Sequence, residues 1–150
     1  MSAKVSTPAR TAILEQGLRS AFDYGVVQFR TGSANADPNG ALQGTIIGYG
    51  TTDGGTFTPG SNTNGLRFAA ASNGAIGKTG NWVITPIANG VAGHFVLCAN
   101  AADDGSANNG ALRITGTVGT SAADMIVGNT SFTVGNLGTI DGFTVRLPSL

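Results

Sequence analysis

Charge is scarce in this chain. Only 11% of its 150 residues are charged, and eight basic side chains balance eight acidic ones. An average soluble domain carries about 25%. The balance removes the dense cationic face that sequence-independent nucleic-acid binding needs. Low charge also weakens the repulsion that keeps free copies apart, so a homo-oligomer or a member of a larger assembly is expected, without direct nucleic-acid contact. Cys98 is the only cysteine, which excludes an intrachain disulfide and a cysteine-rich metal site. No run of 18 apolar residues occurs, so no membrane span is expected. The opening MSAKVSTPAR has no apolar signal core. The cytoplasm is therefore the expected place of synthesis, compatible with later release in a particle.

Catalytic constellations are lacking too. His94 and Cys98 are the one pair that could suggest a thiol and its base. Four residues of strand would separate their α-carbons by about 13 Å, so they are read as a sheet histidine and a small buried thiol. Asp103-Asp104-Gly105-Ser106 with Asn108-Asn109 has the composition of a cation loop. Counted from Asp104, however, Asn109 stands where the glycine belongs and Thr115 where the closing glutamate belongs, so an exposed turn is expected. Gly48, Gly50 and Gly54 lack dinucleotide-fingerprint spacing and no helix follows them, so they are read as a flexible loop. Lys78 in GKTG lacks the upstream glycine of a phosphate loop, and neither GxSxG nor HExxH appears. Phe29, Phe57, Phe68, Trp82, Phe95, Phe132 and Phe143 are spread one or so per strand, as core residues would be. No enzyme, no cofactor and no catalytic or metal-binding residue is expected.

What is present is turn and strand. Five Asn-Gly pairs, at Asn39, Asn64, Asn73, Asn89 and Asn109, and three Asp-Gly pairs, at Asp53, Asp104 and Asp141, suit hairpin turns. Between them lie short alternating runs: Val26 to Arg30, Leu42 to Tyr49, Leu66 to Ala70, Asn81 to Pro86 and His94 to Cys98. Four more fall within Arg113 to Pro148, around Ile114–Val118, Met125–Val127, Phe132–Val134 and Phe143–Leu147. One helix precedes them, over 8–24. Thr7 is its expected N-cap, Pro8 stands in its first turn and Gly25 is its expected C-cap. Ile13, Leu14, Leu18, Ala21 and Phe22 share its apolar face; Arg10, Glu15, Gln16, Arg19 and Asp23 share the other. Residues 1–7 are read as a flexible arm and 8–150 as one domain: an all-β antiparallel β-sandwich or jelly roll with a leading α-helix.

Three segments carry a resemblance: VVQFRTGSANADP; the strand AGHFVLC; and ITGTVGTSAADMIV followed by NTSFTVGNLGTIDGFTVRLP. In this order they resemble the capsid cement, or decoration, proteins of tailed bacteriophages. The resemblance implies a jelly-roll-type virion protein on the capsid exterior, assembled in the host cytoplasm. Its partner would be the major capsid protein, and it would stabilise the head lattice against internal DNA pressure as a dimer or trimer. Contact residues are sought in the arm and on the polar helix face: Lys4, Val5, Arg10 and Arg19. The competing readings are a tail-tip or fibre component, a head–tail connector, and a glycan-binding module built on exposed aromatics.

Overall fold

The computed structural model describes residues 3–107 and 110–147. Its strands are β1 (Lys4–Val5), β2 (Val26–Arg30), β3 (Ile46–Thr52), β4 (Arg67–Phe68), β5 (Ala75–Thr79), β6 (Trp82–Pro86), β7 (Gly90–Val91), β8 (His94–Cys98), β9 (Arg113–Gly119), β10 (Met125–Val127), β11 (Ser131–Phe132) and β12 (Gly138–Arg146). Two helices, α1 (Thr7–Gln16) and α2 (Leu18–Phe22), stand between β1 and β2.

The architecture corrects the expected antiparallel sandwich or jelly roll. Strands β9, β8, β2, β3, β6, β12 and β10 pair in that order, and β10 returns to β9 to close a seven-stranded mixed barrel. The closing pair is parallel, Met125 against Val118 and Ile126 against Gly119. A side-chain clamp holds this register. Asp124 Oδ2 accepts from the Thr117 N–H at 3.0 Å and from its hydroxyl at 3.1 Å, while the Asp124 N–H donates to Thr117 Oγ1 at 3.0 Å. Alternation along a strand shows that one face is buried; it cannot show whether the partner is a second sheet or the same sheet curled shut.

The barrel interior is a packed core. Val27, Leu97 and Ile114 occupy one cross-strand row, and Phe29 and Phe95 the next. Rings from several elements meet edge to face: Phe29 with Phe132 at 5.4 Å, Phe68 with Trp82 at 5.3 Å, and Phe95 with Phe143 at 5.5 Å between centroids. Each such ring contributes roughly 1.5–3 kcal/mol by burial. Gly48 and Gly50 make room for this filling. They are not a flexible loop but interior positions of β3, where a Cβ at Gly50 would lie 2.7 Å from Ile140 Cδ1. The strand expected over Leu42–Tyr49 accordingly starts later and runs through both glycines. The run expected over Leu66–Ala70 pairs only at Arg67–Phe68, and β5, with its Gly77 and Lys78, had no alternating signature to announce it.

The single helix expected over 8–24 is two. Ser6, not Thr7, is the N-cap, its hydroxyl accepting from the Ala9 N–H at 3.4 Å. Gly17 adopts φ 87°, left-handed backbone that ends α1, and its N–H bonds the Ile13 carbonyl at 2.9 Å. The break rotates the two helices out of phase. Ala21 and Phe22 of α2 and Ala9 of α1 are buried, while Leu14 is 87% exposed. Gly25 is no C-cap: Asp23 ends α2, and Gly25 bridges to Leu66. Within the stretch read as a flexible arm, Lys4 and Val5 pair with Thr115 and Ile114 of β9.

Candidate functional site

The outer wall of the barrel at β9, β8, β2 and β3 is where the polar side chains gather. Outward positions form cross-strand rows: Arg113–Cys98–Val26, then Thr115–Val96–Gln28–Tyr49–Thr85, then Thr117–His94–Arg30. An outward face of a barrel normally meets water, but here loops 33–45, 53–65 and 99–107 lie over it. Gln28, Arg30, His94, Arg113 and Thr115 are all buried as a result.

Two arginines tie down loops 33–45 and 99–107. Arg113 donates from Nε to Asp103 Oδ2 at 2.7 Å and from Nη2 to Asp103 Oδ1 at 2.6 Å. It also reaches the carbonyls of Ser106, Pro38 and Gly40 at 2.9, 3.2 and 3.0 Å. The hydrogen bonds it donates to Asp103 outweigh burial and hold the guanidinium above its ordinary pKa. Arg30 donates from Nε and Nη2 to Gln28 Oε1 at 3.1 and 3.0 Å, and from Nη1 to the carbonyls of Gln43 and Gly44. Burial lowers its pKa. The exposed turn expected at Asp103 is corrected by the structure: its side chain is 3% exposed and paired. The available signal was an arginine inside each of two apolar strands, VVQFR and RITG, in a chain with few charges. Asn108 and Asn109 of that turn lie outside the described residues.

His94 and Cys98 occupy opposite ends of β8, as the strand spacing requires. His94 Nδ1 lies 2.9 Å from the Gly32 carbonyl, Nε2 is buried without a partner among the described residues, and burial lowers the pKa below its ordinary value. Burial, then the Asp103 charge, pushes the Cys98 thiol up to about 12. A thiol held neutral in this way is no nucleophile at neutral pH. Among the described residues no group of three or more His, Cys, Asp or Glu is placed to hold a metal ion, and no helix is long and apolar enough to cross a membrane.

Above the wall lies a groove of about 510 Å³, bounded by Val26, Gln28, Tyr49, Phe57, Ile87 and Cys98. Phe57 is half-buried here, whereas the other phenylalanines named above and Trp82 are core residues. The four residues sought as contacts do not converge on this groove. Lys4 Nζ donates to the Ala36 carbonyl at 2.8 Å, and Val5 packs on the core from β1. Arg10 donates to Thr7 Oγ1 at 3.0 Å on α1, and Arg19 stands 3.6 Å from Asp23 Oδ2 on α2. No protein-family model, curated protein or solved structure matches the chain.

Proposed function

We propose that this chain is a virion structural protein, a capsid cement or decoration protein that binds the outside of a phage head as a small homo-oligomer. The observation that carries the reading is an uncharged, apolar end of the barrel. Ile87, Val91, Val134 and Leu137 are each more than half exposed. They lie on segments 86–93 and 128–138, neither of which contains an ionisable side chain. Pairing of β7 with β11 joins the two segments, and Asn89 Oδ1 accepts from the Val134 N–H at 2.9 Å. Aliphatic clusters of this kind on a small domain favour contact with another protein.

Function in this reading is linkage. A protein that binds the assembled lattice but not free subunits stabilises it by its binding free energy, and repetition over many sites turns a modest contact into avidity. Lys4, Arg10 and Arg19 would supply polar contacts at a second edge. The test is quantitative mass spectrometry of purified particles. A copy number equal to the major capsid protein, or a simple fraction of it, supports lattice decoration. A few copies per particle would move the protein to the tail or connector, and absence from particles would sink the reading.

A further inference from the structure

We propose that Asn73 is a site of spontaneous deamidation: of the four Asn-Gly pairs within the described residues, it is the one the fold leaves free to convert to aspartate and isoaspartate. The inference stands on the turns alone and does not depend on which particle carries the protein.

The chemistry uses two neighbouring groups and water. The Gly74 backbone nitrogen gives up its proton and attacks Asn73 Cγ. The N–Cγ bond forms, the Cγ–Nδ2 bond breaks, and Nδ2 leaves as ammonia with that proton. Water then opens the cyclic imide at either carbonyl carbon, its hydroxyl going to the carbon and its proton to the nitrogen. Nothing is oxidised or reduced. Glycine as the second residue puts no side chain in the path. The side-chain amide and the next backbone N–H must both be free to move. A hydrogen bond of ordinary net strength that holds either one slows the step roughly two- to tenfold.

Three of the four pairs are held. Asn39 Oδ1 accepts from the Thr7 N–H at 2.8 Å, its Nδ2 donates to Asp37 Oδ1 at 2.8 Å, and the Gly40 N–H donates to the Asp37 carbonyl at 3.1 Å. Asn64 Nδ2 donates to the Thr56 carbonyl at 3.1 Å, and Gly65 is buried against the Tyr24 backbone. Asn89 Oδ1 accepts from the Val134 N–H at 2.9 Å, and Gly90 is fixed in β7 opposite Phe132.

Asn73 differs on each count. It and Gly74 are exposed, and a Cβ at Gly74 would meet nothing nearer than the Leu147 carbonyl oxygen at 4.0 Å. No hydrogen bond holds the Asn73 side chain or the Gly74 N–H among the described residues. The turn is left-handed at both residues, with φ 51° and 71°. Ser72 and Ala75 close it by exchanging N–H···O bonds at 2.8 and 3.0 Å, and the Leu147 N–H donates to the Gly74 carbonyl at 3.0 Å. It leads into β5, which lies outside the seven barrel strands, so it can open locally while the barrel stays folded. Conversion adds a negative charge there, and isoaspartate also adds a methylene to the backbone of this two-residue turn.

The experiment is peptide mass spectrometry of the whole chain after incubation in mildly alkaline buffer, native and denatured, counting aspartate plus isoaspartate at each site. In the native chain Asn73 should convert at least about tenfold faster than Asn39, Asn64 or Asn89. In the denatured chain the four rates should converge. Asp37→Ala, at an exposed position, removes the acceptor of the Asn39 N–H and Nδ2. It should speed Asn39 roughly two- to tenfold and leave Asn73 unchanged. Equal native rates at the four sites, a lead of Asn73 that persists undiminished in the denatured chain, or an Asn39 rate untouched by Asp37→Ala would each overturn the proposal.

Discussion

Arg113 and Asp103 meet at two points, Nε to Oδ2 and Nη2 to Oδ1, with side chains 1% and 3% exposed. Removing one partner leaves the other charge buried without its counter-ion, which costs about 3–5 kcal/mol. Asp103→Asn or Arg113→Met should each lower stability on that scale in urea denaturation. The double variant should lose clearly less than the sum of the two. Strict additivity would show that the pair is not coupled.

The barrel is closed where Asp124 meets Thr117. Asp124→Ala removes the acceptor of two donors at an exposed position, and a loss of about 1–2 kcal/mol is expected. Hydrogen exchange should quicken first at β10 and the end of β9, before the rest of the barrel. Uniform quickening would mean that closure and global folding are one event.

His94 gives the chain a pH dependence. Its folded pKa is depressed below the ordinary 6.5, with burial as the main cause and the Arg30 charge adding to it. The unfolded chain therefore binds a proton first on acidification. The stability contribution is fully present above pH 6.5 and is lost as pH falls from there toward the folded pKa, at up to about 1.4 kcal/mol per pH unit. Around His94, Arg30 lies across the sheet on one side and Thr117 on the other. His94→Gln should flatten the stability profile below pH 6.5; an unchanged slope would assign the acid sensitivity to carboxylates instead.

Cys98 acts at the other end of the pH scale. With its thiol raised from 9.0 to about 12, the unfolded chain ionises first, so stability falls as pH rises through that window. Cys98→Ala should remove this slope. The native thiol should resist a disulfide reagent at pH 8 and react fully once the chain is denatured. Rapid native labelling would mean that loop 99–107 opens readily.

Gly50 is a packing residue. Gly50→Ala should cost about 1–3 kcal/mol through overpacking against Ile140. Ile140→Val removes the Cδ1 atom that the new methyl meets, so in its presence the penalty at Gly50 should shrink. Equal penalties in both backgrounds, measured by denaturation midpoints, would place the strain elsewhere.

The lesson of the sequence lies in particular elements. His94–Cys98, Val26–Arg30 and Met125–Val127 were legible as strands because each is a short, mostly apolar run with few competing options. Trp82, Phe68 and Phe143 were legible as core by type and spacing. The groove was not: the spacing places Phe57 with the core residues, and nothing local links it to Gln28 or Tyr49. Arg30 and Arg113, each set inside an apolar strand of a chain with few charges, were the one local mark of a covered wall; Gln28 and the loop residue Asp103 carried none.

Local chemistry by itself determined that this chain is built of short strands and turns, that its helical lead begins near Pro8, and that His94 and Cys98 cannot act together. These follow from residue type and from spacings of a few residues. Closure into a barrel was decided by pairings between distant segments, above all β10 returning to β9, because alternation looks the same in a sandwich and in a barrel. The burial of Gln28, Arg30 and Arg113 on the outer wall was likewise decided in three dimensions. Only the loops folded over that wall exclude water from it, and only there do Arg113 and Arg30 find the carbonyls that complete their hydrogen bonds.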